Sequence, residues 1–184
     1  MAHLMRFAST ICHNSPMGYD QHKTAANTIA AKCAVITLSD TRTAETDFSG
    51  KRISDLLVEA GHRVIEYSIL RDEPAVLNEM LDKLLGRDDI DVILTNGGTG
   101  ISRRDQTIGV IETTITTPLP GFGELFRMLS WEQIGSGAML SRAVAGIAAA
   151  KLLFAMPGSP KAVELAMTKL ILPELGHLIY ELRK

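Results

Sequence analysis

The chain has 184 residues, 46% of them apolar but only 5% aromatic, with a formal charge of −2 at pH 7. That length suffices for one well-buried domain cored by aliphatic side chains, and the near-balanced charge gives no global pull toward nucleic acid or an anionic membrane, so any anion site must be local. Its 2 cysteines and 5 histidines form no C-x-x-C, H-x-H or H-E-x-x-H pattern, which argues against a disulfide framework or a transition-metal cluster of neighbouring residues and fits a reducing, cytoplasmic setting.

Residues 1–32 are polar and mixed, with Pro16, Gly18 and two asparagines. They hold no apolar run fit for a signal-peptide core, and no later stretch approaches the ~20 apolar residues of a membrane span. An ordered polar leader needs a surface to lie on. The expectation is an N-terminal extension docked on a neighbouring subunit, followed by one domain over 33–184.

Cys33 to Leu38 is a short apolar run that stops at Ser39-Asp40-Thr41, the profile of a strand buried on both faces. Ile53, Leu56, Leu57 and Ala60 then recur at helical spacing from Ser49, and Gly61 ends that helix. His62 to Leu70 reads as a strand, Pro74 to Leu85 as a helix with Leu77, Met80, Leu81, Leu84 and Leu85 inward, and Ile90 to Leu94 as a third strand. Right-handed crossovers make such a series a parallel sheet with helices on both faces, binding ligands beyond the strands' carboxyl ends. His62 and His177 read as structural.

The third strand empties into Thr95-Asn96-Gly97-Gly98-Thr99-Gly100-Ile101-Ser102-Arg103-Arg104-Asp105-Gln106-Thr107. Three glycines within four residues bring bare backbone N–H groups to the sheet edge, where an anion can approach. Arg103 or Arg104 can meet remaining charge and Asp105 a hard cation, an order suited to a phosphorylated ligand with a bound metal. A glycine-rich turn with a solvated charged rim would show the same residues. Asp40 and Asp72 follow the first two strands, so three strand ends each deliver an aspartate toward one edge. Either could instead cap a loop or the helix that opens at Pro74. Their convergence makes a magnesium–phosphate site the better account.

Thr107 to Thr114 predicts a helix, Thr116 to Gly123 a rigid proline-rich loop, and Glu124 to Trp131 another helix. Ala143 to Ile147 and Leu152 to Met156 predict two short strands. The second ends in Pro157-Gly158-Ser159-Pro160, where Gly158 permits close approach, Ser159 can cap and Pro160 suits the first helical position: a second anion cradle, or a simple strand-to-helix turn. Leu175, Leu178, Ile179 and Leu182 form the packing stripe of a last helix. Neither G-x-x-x-x-G-K-[ST], nor G-x-G-x-x-G after a first strand, nor G-x-S-x-G occurs, and no candidate nucleophile is held by a histidine, so chemistry here would rest on positioning and charge neutralisation.

Taken together, Ser39-Asp40-Thr41-Arg42, Thr95 to Thr107, Pro120 to Glu124, Leu140 to Gly146 and Met156 to Ser159 resemble the MogA/MoaB family of molybdenum cofactor biosynthesis, from about His22 onward. Phe126-Arg127-Met128-Leu129-Ser130 is closer to the MoaB branch. The resemblance implies a three-layer α/β/α sandwich with a mostly parallel central sheet and a short antiparallel edge, assembled as a trimer or a dimer of trimers. It implies adenylyl transfer from Mg-ATP to molybdopterin, giving adenylylated molybdopterin and pyrophosphate, with Mg²⁺ as cofactor and ATP as substrate. By position, Asp72 and Asp105 match the family's functional aspartates and would hold the Mg²⁺. Gly97, Gly98, Thr99, Gly100, Ser141, Arg142, Pro157, Gly158 and Ser159 would line the pterin and nucleotide pocket, closed by Ser39 and Asp40. The sequence departs at Ile108-Gly109, where the family commonly has proline and an acidic residue. That departure implies a looser helix start behind Asp105 and keeps a second expectation alive: a weak or silent molybdopterin-binding carrier of the same pathway. Related domains in nicotinamide-nucleotide deamidases supply a third, against which Thr99 and Arg104-Asp105 count.

Overall fold

A computed structural model describes residues 29–101 and 107–184. Six strands, β1 (Lys32–Leu38), β2 (Arg63–Leu70), β3 (Val92–Asn96), β4 (Thr117–Pro118), β5 (Val144–Ala148) and β6 (Lys151–Met156), form one sheet in the order β2-β1-β3-β6-β5-β4. β2, β1, β3 and β6 pair in parallel, while β5 runs antiparallel to both β6 and β4, giving the mostly parallel sheet with an antiparallel edge.

Side chains alternate along each central strand, and the alternation feeds two cores. Cys33, Val35, Val92, Leu94, Leu152 and Phe154 face α1 (Phe48–Glu59), α4 (Pro120–Ile134), α5 (Pro160–Ala166) and α6 (Leu172–Leu182). Ala34, Ile36, Ile93, Leu153 and Ala155 face α2 (Pro74–Leu85) and α3 (Thr107–Thr114). Helices on both faces of a sheet are the three layers expected of an α/β chain of this pattern. A five-residue π turn, Met167–Ile171, joins α5 to α6. No helix among the described residues is long and apolar enough to cross a membrane.

Several expectations shift. β3 runs on through Thr95 and Asn96, both buried and paired with Ala155 and Met156 on β6, so its polar end is core. The stretch from Thr116 to Gly123 is not a loop throughout: Thr117–Pro118 pairs with β5, and α4 starts at Pro120, four residues before the expected point. Proline suits that position because its missing N–H would have no partner there anyway. Ala60 caps the end of α1 and is exposed rather than core. Gly123 is needed where α4 crosses β5, since a Cβ would collide with the Ala143 carbonyl. α3 forms over Thr107–Thr114 without a proline, held by Ile108 at 2% exposure in the second core. At the start of β1, Ile29 and Ala31 pack on the first core and the Ala31 amide donates to His62 Nδ1 at 3.2 Å, which confirms His62 as structural. The leader before residue 29 lies outside the described residues.

Candidate functional site

The parallel strands fix where chemistry can collect. β1, β2, β3 and β6 all end at one edge of the sheet, and β5, running the other way, begins there. Ser39, Asp72, Gly97 and Pro157 therefore leave the sheet side by side, and Ser141-Arg142 enters beside them.

The first two ends are tied together. The Ser39 amide donates to the Leu70 carbonyl at 2.8 Å, the Ser39 hydroxyl accepts from the Thr41 and Arg42 amides at 3.3 and 3.2 Å, and Asp40 Oδ1 accepts from the Asp72 amide at 3.3 Å. Asp40 and Asp72 thus share one rim. Thr107, wholly buried at the start of α3, donates its hydroxyl to Asp72 Oδ1 at 2.8 Å and lies 3.1 Å from the Gly98 carbonyl.

The glycine loop has left-handed backbone at Gly97 (φ +95°) and Gly98 (φ +63°). A side chain at 97 would collide with the Leu38 carbonyl, and one at 98 with Thr107 Oγ1, so glycine is required by close approach as well as by φ. The Gly97 amide donates to the Met156 carbonyl at 3.1 Å. Arg142 Nε donates to the Thr99 carbonyl at 3.2 Å and its Nη2 to the Gly100 carbonyl, so Arg142 braces the loop through its backbone. Beside the glycine loop stands the Pro157–Ser159 turn. Ser159 caps α5 by accepting from the Ala162 amide at 3.2 Å, Pro160 takes the first helical position, and Gly158 presses against Gly97. Thr99, Gly100, Ser141, Pro157 and Ser159 line a cleft of about 250 Å³ between these turns. Larger clefts of about 540 and 660 Å³ flank it beside β5 and between α4 and α5; neither includes the Asp40 and Asp72 rim.

Beneath the rim lies a polar network with no counterpart among the sequence-level candidates. Asp47 is fully buried, caps α1 through the Gly50 amide at 3.0 Å, and also accepts from Thr37 Oγ1 at 2.5 Å, Tyr67 OH at 2.7 Å and Arg42 Nη1 at 3.1 Å. Burial pushes its carboxyl pKa up, but the bonds from Thr37, Gly50 and Tyr67, together with the Arg42 charge, outweigh burial and hold it below the usual carboxylate range. Burial and the adjacent Asp47 carboxylate raise the Tyr67 phenol. Thr37 Oγ1 accepts from Asn96 Nδ2 at 2.8 Å, leaving Asn96 Oδ1 as a buried side-chain acceptor without a partner. The signal for Asp47 was local: an aspartate three residues before Gly50, just ahead of the apolar helical spacing, is an N-cap. Arg42 and Thr107 stood in the sequence only as flanks of motifs.

Every candidate among the described residues thus lies along this edge, while Asp105 with Arg103 and Arg104 falls outside them. Among the described residues no group of three or more His, Cys, Asp or Glu side chains could hold a metal on its own. Magnesium does not need such a cage, because it keeps several waters and binds through one or two carboxylates plus substrate phosphates. A rim carrying Asp40 and Asp72 beside a glycine loop fits that requirement.

The profile of a family described as "Probable molybdopterin binding domain" matches residues 34–177. The chain belongs to this family. The molybdopterin-binding family match is supported by the Molybdenum cofactor biosynthesis protein B of Bacillus cereus, 49% identical over 169 residues, which cover 91% of this chain and 99% of the relative. The protein of the same name from Bacillus subtilis is 49% identical over 169 residues with the same two shares, 91% and 99%. Among solved structures, a Molybdenum cofactor biosynthesis protein B superposes with a TM-score of 0.82 at 51% identity, covering 84% of this chain and 97% of the other. The tungsten cofactor synthesizing protein MoaB of Pyrococcus furiosus follows at 0.72 and 33%, covering 84% and 98%. The family places this chain in molybdenum cofactor biosynthesis.

Proposed function

We propose that the protein adenylylates molybdopterin with Mg-ATP, releasing pyrophosphate. The observation that carries the reading is the pair of facing turns, Gly97–Gly100 and Pro157–Ser159, with two carboxylates on the adjoining rim. The family description and the names of its relatives supply the pterin; the cradles supply the reason for a nucleotide. The nucleophile would be the substrate's own phosphate, so no protein side chain need act as one. The glycine backbone would orient phosphate oxygens through N–H groups that no side chain obstructs. Asp72, fixed by Thr107, and Asp105 would hold Mg²⁺, which supplies charge neutralisation on the transferring α-phosphate. Ser39, Asp40 and Ser141 would close the walls around the bound pair, holding the two phosphates in line.

We also propose a homo-oligomer, a trimer or dimer of trimers. Leu125, Met128, Trp131 and Ile134 stand exposed at intervals of three along α4, and Met139 and Leu140 follow with 76% and 52% exposure. These side chains wind half-way round α4, and exposed apolar surface of that extent suits a second copy of the chain better than water. Light scattering that returned a stable monomer at micromolar protein would defeat this.

The enzyme and carrier readings separate at Asp72. Asp72→Asn keeps the Thr107 contact but removes charge, and should cut turnover by about 10²-fold with molybdopterin affinity little changed. Full turnover in Asp72→Asn would remove its metal role. A wild-type protein that binds molybdopterin tightly but never forms product would be the carrier.

A further inference from the structure

Arg42 commits its guanidinium to two acceptors on different parts of the fold. Nη1 donates to the buried Asp47 Oδ1 at 3.1 Å, and Nη2 donates to the Gly158 carbonyl at 2.7 Å. Ser49 Oγ, buried at the start of α1, donates to the same carbonyl at 2.8 Å. Gly158 in turn sits so near the glycine loop that a Cβ on it would lie 3.1 Å from Gly97 Cα and 3.2 Å from Gly97 N. A line of contacts therefore runs from a buried charge through a guanidinium to one cradle, and from that cradle to the other.

We infer that Arg42, aimed by Asp47, is a positioning residue that sets the gap between the Pro157–Ser159 turn and the Gly97–Gly100 loop, and is not itself a phosphate ligand. Turning toward a phosphate would take Arg42 from a wholly buried carboxylate and leave that charge short of its counter-ion. The Gly158 carbonyl would keep only Ser49. Asp47 is well made for the aiming role: four donors from Thr37, Arg42, Gly50 and Tyr67 converge on its two oxygens, so its carboxylate has one orientation. The clamp rests on the adenylyl-transfer reading for its effect on turnover, but its effect on the turn stands apart from it.

The test uses the full chain as Arg42→Ala, Arg42→Lys, Ser49→Ala and the Arg42→Ala/Ser49→Ala double variant. It measures kcat and KM for Mg-ATP, and amide exchange at Gly97 and Ala162, whose N–H groups bond to Met156 and Ser159 at either end of the turn. Arg42→Ala should lower kcat by about tenfold while KM for Mg-ATP stays within about twofold, the mark of misplaced rather than unbound substrate. Arg42→Lys, able to keep one of the two bonds, should fall between. The double variant should lose more than the product of the singles, because only then is the Gly158 carbonyl without a side-chain donor, and exchange at both amides should rise. A raised KM with unchanged kcat would overturn the inference and make Arg42 a phosphate ligand. Unchanged exchange in the double variant would overturn the clamp whatever the turnover. A wild type without turnover would sink the adenylyl-transfer reading alone, since exchange still reads the clamp.

Discussion

Gly98→Ala is the sharpest perturbation of the glycine loop. The added Cβ would overlap Thr107 Oγ1 and stand 2.9 Å from Asp72 Oδ1, at a backbone φ of +63°. The left-handed conformation costs an L-residue about 1–2 kcal/mol. Driving the Thr107 hydroxyl off Asp72 forfeits a hydrogen bond to a charged group, about 1.5–3 kcal/mol. The sum is about 2.5–5 kcal/mol, or roughly 10²-fold to several thousand-fold in the population of the intact loop at about 1.4 kcal/mol per tenfold. Gly109 is the matched control: it lies inside α3 with nothing within 4 Å of a built Cβ, so Gly109→Ala should stabilise the helix by about 1 kcal/mol. Urea unfolding and titration with molybdopterin and Mg-ATP on both variants separate loop from fold. Adding Thr107→Ala to Gly98→Ala removes the overlapping oxygen, so the double variant should be less impaired than the two singles predict. Strict additivity, or wild-type ligand affinity in Gly98→Ala, would refute the account of the loop.

Other consequences test other parts of the fold. Ala149 and Ala150, both with positive φ (45° and 57°), make the two-residue turn between β5 and β6, the geometry that asparagine and glycine suit, so Ala149→Asn/Ala150→Gly should raise stability by about 1–2 kcal/mol in urea unfolding; a lower midpoint would refute it. Burial lowers the His62 pKa below 6.5, so the unfolded chain binds the extra proton first: His62's contribution is complete above about pH 6.5 and is lost as pH falls through the folded value, and His62→Asn should flatten that part of the stability profile. An unchanged pH profile in His62→Asn would refute the linkage. Burial, then the nearby Asp91 charge, push the Cys33 thiol up to about 12, so its peptide should take up iodoacetamide at pH 8 only after denaturation; rapid labelling of the native protein would contradict the buried position of β1.

The legible parts of the sequence were those where one short window carries the cause. Pro74 at a helix start, Ser159-Pro160 after a strand, and the short apolar run of a strand buried on both faces are local signals, and the structure places them as read. The start of α4 was obscured because Pro118, Pro120 and Gly121 imitate a turn, when tertiary contact with β5 makes the segment a strand and then a helix. Thr95 and Asn96 looked like the beginning of a loop because their polarity is satisfied partly from β1 and β6, far away in sequence. Asp47 was hidden for the same reason: its cap is local, but Thr37, Tyr67 and Arg42 reach it from separate segments. Asp40, Asp72, the glycine loop and the Pro157–Ser159 turn were readable as neighbours because each follows a parallel strand, and topology sends all such ends to one edge.

Product formation tests the central claim most directly. Purified protein incubated with molybdopterin and ATP, with and without magnesium, should yield adenylylated molybdopterin and pyrophosphate in equal amounts, and only when magnesium is present. Tight molybdopterin binding with neither product, under conditions where both substrates are saturating, would contradict adenylyl transfer.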